Sequence, residues 1–297
     1  MRRAWIMLAG AAGAYWLYQR LQPEPSRLVL NERVVVISGA SSGIGRAYAN
    51  AFARRGAKVV LAARRDELLE AVRAEIAPYA ADALAVPTDV TDDAQLQNLV
   101  DTTLQRFGQI DVLVNSAGID ASGPLHNIPP DSIRRMIDTN LSSALCLIGL
   151  CLPSMLAHGS GRIVNVASVA GAIATPYYAS YSASKHGIIA LSDALRRELD
   201  GTGIEVVSVL PYWTYSEIIT PEVAKTLVEA GYKIDSPEHV AQRTIEGLAD
   251  GKREIYFGGP TTRAAIWLER HFPALMSLVW RAQVTPSFIE TSRAGRE

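Results

Sequence analysis

Cysteine is nearly absent from this 297-residue chain, which holds only Cys146 and Cys151. They lie five positions apart in an apolar helical stretch, and five steps of about 100° set them off one face, so they cannot bridge within that helix. A disulfide-stapled fold is excluded, and both thiols read as buried, inert groups in a reducing compartment. Excess charge of either sign is also lacking. Lys and Arg number 29 against 30 Asp and Glu, for a net charge of -1. With no basic stripe interleaved with aromatics, nucleic acid is not an expected partner. Internal repeats and low-complexity segments are missing too, and no metal site is expected. Hydrophobic residues are plentiful, at 48% against 20% charged, which excludes global disorder and supplies the core of one large α/β domain or two small ones.

The N-terminus differs in character from the rest. Arg2 and Arg3 precede an uncharged run from Ala4 to Tyr18 that contains Trp5, Tyr15, Trp16 and Tyr18. Fifteen helical residues span roughly 22 Å, short of the ~30 Å hydrocarbon core of a bilayer. With Arg2, Arg3 and Arg20 snorkelling and the aromatics at the interfaces, residues 1–22 still read as an apolar helix that associates with a membrane through residues 4–18. A packing helix and a signal peptide cleaved near Ala12–Ala14 are its rivals. Positive charge is similar on both sides of the run, so the run does not set its own orientation. The segment around Gln22-Pro23-Glu24-Pro25-Ser26 reads as a linker, over residues 23–30.

From residue 31 to about 260, apolar strand-like runs alternate with helical patterns. Val34-Val35-Val36-Ile37 reads as a fully buried strand and Gly43–Arg55 as a helix closed by Gly56. The alternation continues through strands Lys58–Ala62, Leu84–Val86, Asp111–Val114, Arg162–Val166 and Ile204–Leu210. Helices are expected over Asp66–Ala77, Asp92–Phe107, Pro130–Ala157 and Tyr178–Leu199, and Glu254–Phe257 is a candidate seventh strand. Such alternation predicts a single α/β domain of the doubly wound, parallel-sheet, Rossmann type, with ligands outside the carboxyl ends of the strands. Residues 261–297 form an extension in which Ile266, Trp267, Phe272 and Leu275 to Trp280 mix with Arg263, Arg270 and Arg281. It is expected to serve as a lid, a dimer contact or a membrane contact.

Three places carry chemistry. Ser38-Gly39-Ala40-Ser41-Ser42-Gly43-Ile44-Gly45 lies between a buried strand and a helix, where glycines permit a tight turn and a pyrophosphate can meet the helix N-terminus. At the tip of the second strand, Ala62-Ala63-Arg64-Arg65 offers no acid for a ribose hydroxyl, while its guanidinium groups suit a 2′-phosphate, which favours NADP(H) over NAD. Asp66, next in line, reads as the cap of the following helix. Finally, Tyr181 and Lys185 stand four apart on a helix, so an ammonium sits beside a phenol. A free Tyr titrates near 10, and acid–base work at pH 7 requires a shift of about 3 units that an adjacent cation helps to supply.

At this point the chain resembles the short-chain dehydrogenase/reductase family. The resemblance rests on Gly39-x-x-x-Gly43-Ile44-Gly45, Asp89, Asn115-Ser116-Ala117-Gly118, Asn140, Ser168 and Tyr181-x-x-x-Lys185, and it spans about Arg33 to Leu210. Its spacing is similar to the compact subgroup, and the N-terminal run to membrane-anchored, hydroxysteroid-dehydrogenase-like members. The resemblance implies a catalytic set of Asn140, Ser168, Tyr181 and Lys185. In it Tyr181 is the acid–base, Ser168 polarises the carbonyl, Lys185 lowers the phenol's pKa and bonds the nicotinamide ribose, and Asn140 holds a relay water. It further implies that Gly39, Ser41, Ser42, Gly43, Ile44, Gly45, Arg64, Arg65, Asp89, Val90, Asn115, Ala117, Gly118 and Pro211 bind the cofactor, Asp89 and Val90 at the adenine. Family members usually pair through the helices Leu141–Leu156 and Tyr178–Leu199, so a homodimer or homotetramer is expected.

One departure stands out. Where the family has Pro-Gly after the sixth strand, this chain reads Pro211-Tyr212-Trp213-Thr214-Tyr215-Ser216, and Tyr does not readily adopt the positive φ that Gly permits. Tyr212, Trp213 and Tyr215 read either as pocket walls or as packing aromatics. The expected function is an intracellular, membrane-associated NADP(H)-dependent carbonyl reductase or alcohol dehydrogenase acting on a lipophilic substrate, with its catalytic domain on the NADPH-containing side. A non-catalytic NADP-binding scaffold and a soluble NAD-linked alcohol dehydrogenase are the alternatives.

Overall fold

A computed structural model describes residues 29–219 and 221–283 of the chain. The apolar run 4–18, most of the linker and the segment 284–297 lie outside the described residues. Strands β1 (Val34–Ser38), β2 (Lys58–Ala63), β3 (Asp82–Pro87), β4 (Val112–Asn115), β5 (Gly161–Val166), β6 (Ile204–Leu210) and β7 (Glu254–Tyr256) form one sheet. Their order is β3-β2-β1-β4-β5-β6-β7 and every pairing is parallel. β1, β2 and β4 are buried along their whole length apart from Lys58, as apolar runs without alternation require when helices cover both faces of a sheet.

On one face, α1 (Gly43–Ala53), α2 (Asp66–Ile76) and α8 (Pro237–Ala249) pack Tyr48, Phe52, Leu69, Val72, Val240 and Leu248 into a core with Val35, Ile37 and Val59. On the other, α3 (Asp93–Phe107), α5 (Ser143–His158) and α6 (Ala179–Glu198) bury Leu96, Leu99, Leu147, Cys151, Met155 and Leu195 against Val34, Val36 and Leu113. Two helices between β6 and β7, α7 (Pro221–Glu229) and α8, have no counterpart in the strand–helix alternation read from the sequence. After β7 come α9 (Gly259–His271) and α10 (Pro273–Gln283), which bring Ile266 and Met276 to a smaller third cluster with Ile173 and Ile188.

Three local readings change. The long helix expected over Pro130–Ala157 begins as α4 (Pro130–Ile137), passes through a single π-turn at Asp138–Ser142 and continues as α5. Asn140 sits in that turn, a helix irregularity of the kind that collects at functional sites. Asp66 does not cap α2: Arg65 holds the cap position, and Asp66 and Glu67 lie in the first turn, where negative charge suits the helix dipole. Cys146 is exposed and only Cys151 is buried, its thiol pushed up to about 12 by burial. Cys151 shares the sheet-facing side with Leu147 and Met155, whereas Cys146 sits about 140° away around the helix. The stretch Pro130–His158 contains an 18-residue window of mean hydropathy 1.7, long and apolar enough to cross a membrane by composition, but here it packs as a layer on the sheet.

Candidate active site at the crossover of the sheet

The strand order reverses between β1 and β4, and at such a point the carboxyl ends of the strands leave a crevice. Here it is a cleft of about 1120 Å³. Gly39, Ser41, Ser42, Gly43, Ile44 and Gly45 all line it. Gly39 has φ +69°, and a Cβ there would stand 2.8 Å from the backbone N and Cα of Ala117, while one on Gly45 would meet the Gly39 carbonyl at 2.1 Å. Only glycine lets the turn approach the end of β4 and lets α1 start directly beneath it. The first turn of α1 holds no acid, so the positive end of its dipole opens on the cleft and suits an anion. Ser38 Oγ accepts from the N–H groups of Ser116 (3.1 Å) and Ala117 (3.2 Å), which fixes Ala117 and Gly118 as the facing wall.

At the tip of β2, Arg65 Nη2 donates to Ser41 Oγ at 3.2 Å, to Ser42 Oγ at 3.5 Å and to Glu217 Oε1 at 2.5 Å. The Arg65 guanidinium thus joins the Ser41 and Ser42 hydroxyls on one side to the Glu217 carboxylate on the other. Arg64 acts beside Asp89, whose carboxyl accepts from the N–H and hydroxyl of Thr91 at 3.0 and 2.8 Å. The Thr91 N–H, then its hydroxyl and the Arg64 charge, hold Asp89 below the usual carboxylate range against partial burial. Val90 continues this wall. Asn115 does not reach it: its amide donates to Asn165 Oδ1 (2.9 Å), and Asn165 in turn donates to Ser192 Oγ (2.9 Å), a buried cross-link between β4, β5 and α6.

Tyr177, at φ +67°, makes a left-handed turn that is unusual for a bulky residue. Just beyond it Tyr178 and Tyr181 line the cleft. Ser168 begins the turn Val169–Gly171, accepting from Ala170 N–H at 3.1 Å, and its hydroxyl faces the Tyr181 phenol. Lys185 is buried, donates to the Val166 carbonyl at 3.0 Å and stands 5.8 Å from the centre of the Tyr181 ring. Burial pushes its ammonium down to about 8. The phenol differs from the sequence reading. Burial raises the Tyr181 pKa above its ordinary value, the Asp120 carboxylate adds to that, and only the nearby Ser168 hydroxyl opposes. Lys185, turned toward Val166, does not offset these. Asn140 stands behind the wall, accepting from Ile119 N–H (2.8 Å) and donating to Ile119 O (2.9 Å) and Ser184 Oγ (3.1 Å).

The other end of the cleft is aromatic. Tyr212 takes an ordinary negative φ, since among the described residues only Glu32 and Tyr177 are non-glycines at positive φ. Its ring fills the space left by Gly258, where a Cβ would come within 3.0 Å of it. Pro211 keeps its place on the wall. Tyr212, Trp213 and Tyr232 pack with ring centres 5.9–6.5 Å apart, and Trp213 meets Tyr178 at 6.5 Å. Helices α9 and α10 close this end with Leu268, Met276 and Trp280. Asp120, Glu217, Tyr178 and Tyr232 are site residues that sequence reasoning missed. Asp120 stands two residues past the Asn115–Gly118 motif, and nothing in its spacing marks it.

Residues 33–227 match the family model for short chain dehydrogenases. The chain is 32% identical over 281 residues to dehydrogenase/reductase SDR family member 7B of Bos taurus, covering 91% of this chain and 86% of the relative. Among solved structures it resembles a short chain dehydrogenase/reductase from Burkholderia phymatum in complex with NAD, with a TM-score of 0.76, 28% identity, and 84% and 96% of the two chains covered. It also resembles a singly substituted actinorhodin polyketide ketoreductase with NADPH, with a TM-score of 0.70, 29% identity, and coverage of 75% and 94%. The chain belongs to the short-chain dehydrogenase/reductase family of oxidoreductases.

Proposed function

We propose that this chain is an NADP(H)-dependent oxidoreductase that interconverts a carbonyl and a secondary alcohol on a lipophilic substrate. The observation that carries the reading is the hydroxyl pair Tyr181–Ser168 at the cleft wall, with the buried Lys185 one helical turn along. The residues fit a phosphorylated dinucleotide, because the turn at Gly39 and Gly45 has no room for a Cβ and Arg65, bonded to Ser41 and Ser42, already holds a carboxylate. Gly39 to Gly45 would hold the pyrophosphate, Asp89 and Val90 the adenine, and Arg64 and Arg65 the 2′-phosphate. Ala117, Gly118 and Pro211 would flank the nicotinamide end, with Asn115 bracing the strand behind it. When bound, the nicotinamide supplies or accepts hydride.

In the reducing direction the chain's own groups act on the carbonyl oxygen. Ser168 donates to it and stabilises the growing negative charge. Tyr181 gives up its hydroxyl proton to that oxygen, and its raised pKa in the free protein means the proton is in place at neutral pH. Lys185 can bond the nicotinamide ribose, and on turning from Val166 toward Tyr181 it would stabilise the phenolate left behind. Gly118 leaves space for a relay water: a Cβ there would lie 3.4 Å from Lys185 Nζ and 3.5 Å from Asn140 Oδ1. Oxidation runs the same steps in reverse.

The lipophilic substrate and the membrane setting rest on the aromatic end of the cleft and its mouth. Trp267 and Val279 both line the cleft and face solvent, and Phe272, Leu275 and Leu278 stand exposed beside them. Together with the run 4–18, this supports an intracellular, membrane-associated enzyme whose C-terminal helices form the substrate's doorway. Exposed Leu145 and Leu156 on α5 support pairing of subunits there, as a homodimer or homotetramer. The test is coenzyme oxidation by the full chain with a panel of lipophilic ketones. Turnover is expected with NADPH, reduced roughly 10³-fold by Tyr181→Phe. NADPH binding without turnover on any ketone would favour a scaffold, and equal use of NADH would favour an NAD-linked enzyme.

A further inference from the structure

Glu217 belongs to the segment after β6, yet its carboxylate lies at the coenzyme end of the cleft, 2.5 Å from Arg65 Nη2. Beside it, Ser216 packs on the glycine turn, where a Cβ on Gly43 would stand 3.3 Å from Ser216 Cβ. Ser216 Oγ accepts from the N–H groups of Ile218 (3.2 Å) and Ile219 (3.3 Å), a hydroxyl-closed turn that fixes where Glu217 leaves the chain. The earlier part of the same strap is tied to Asp235: Trp213 O accepts from Asp235 N–H at 2.8 Å, and Tyr215 N–H donates to Asp235 O at 3.1 Å. One short segment therefore runs from the aromatic wall to Arg65, beside Ser41 and Ser42.

We propose that Glu217 discriminates between coenzymes: its carboxylate holds Arg65 as an internal counterpart of the ribose 2′-phosphate and must leave that guanidinium when a phosphorylated coenzyme binds. An unphosphorylated coenzyme leaves the pair intact. Two anions on one guanidinium nitrogen repel each other, so the two occupants exclude one another. The phosphate has the greater charge and three acceptor oxygens for a forked donor, and it wins. The displaced carboxylate is easily given up, because Arg65 and Glu217 side chains are 48% and 60% exposed and such pairs are weak. This inference rests on the NADP(H) reading above.

The experiment is a coenzyme titration of the full chain by fluorescence, for NADPH and NADH, on wild type, Glu217→Gln, Arg65→Gln and the double variant. Glu217→Gln is expected to tighten NADPH binding about 2- to 5-fold, the reach of a surface ion pair, and to leave NADH unchanged. The gain should vanish in the Arg65→Gln background, where there is no shared nitrogen to compete for. Unchanged or weaker NADPH binding in Glu217→Gln, or an equal change for both coenzymes, would overturn the proposal and make Glu217 a bystander or a clamp over the bound coenzyme. If Arg65→Gln costs NADPH no more than NADH, the phosphate assignment itself fails, a result separate from the failure of Glu217→Gln alone.

Discussion

At one end of the cleft, the glycine turn, the end of β4 and the tip of β2 are positioned by backbone contacts and short side chains on strands buried throughout. At the other end, the wall is assembled from three separate segments: Tyr212 and Trp213 meet Tyr232 ring to ring, the strap is tied to Asp235, and Trp280 completes the lining. The first end is stiff because a two-dimensional ladder of strand pairings fixes it. The second can be rebuilt residue by residue without disturbing the sheet. Under the proposed function, coenzyme recognition would belong to the first construction and substrate choice to the second.

Breaking the stiff end should give the larger effect. Arg64→Asp combined with Arg65→Gln should weaken NADPH binding about 100-fold, as expected for two charge-assisted contacts, and change NADH binding by no more than a few-fold, measured by titration. Similar losses for both coenzymes would mean the turn itself had been damaged.

Between the two ends, the buried Lys185 carries a stability cost that can be removed. Lys185 is depressed to about 8 by burial, so in the folded state its charge is disfavoured. Between about 8 and 10.5 the unfolded chain binds more protons than the folded one, and stability rises with pH there; below 8 the cost is fully present. Lys185→Met should therefore abolish turnover yet raise unfolding stability at pH 7 by about 1–3 kcal/mol, the gain shrinking as pH rises toward 10. Denaturant melts at pH 7 and pH 10 check both parts. A destabilised Lys185→Met at pH 7 would show that the bond to Val166 outweighs the desolvation.

The smallest effect is expected at the doorway. Leu278→Glu on the exposed face of α10 should lower turnover of a bilayer-dissolved ketone about 3- to 10-fold while sparing a water-soluble one. Equal rates on both substrates would detach the C-terminal helices from any membrane role.

The stiff end was legible in the sequence because its signals are local. Val34–Ile37 followed by Gly39-x-x-x-Gly43-Ile44-Gly45 states a buried strand, a tight turn and a helix within twelve residues, and Tyr181 with Lys185 needs only helical spacing. The aromatic end was not legible, since Tyr178, Trp213, Tyr232 and Trp280 meet only after the chain has folded, and α7 and α8 interrupt the alternation. The same holds for Glu217, which lies 152 residues from Arg65, and for Asp120, whose effect on Tyr181 is through space. The raised pKa of Tyr181 likewise escaped the helical-spacing argument, which counted the ammonium beside the phenol and not the burial of both.

Hydride transfer itself can be followed directly. The full chain, supplied with NADPH deuterated at both positions of nicotinamide C4 and a panel of lipophilic ketones, should yield an alcohol carrying one deuterium on the carbinol carbon, read by mass spectrometry, and the Tyr181→Phe variant should yield almost none in the same time. Alcohol formed without deuterium, or deuterated alcohol formed equally fast without the Tyr181 hydroxyl, would contradict a mechanism in which that hydroxyl passes its proton as the hydride arrives.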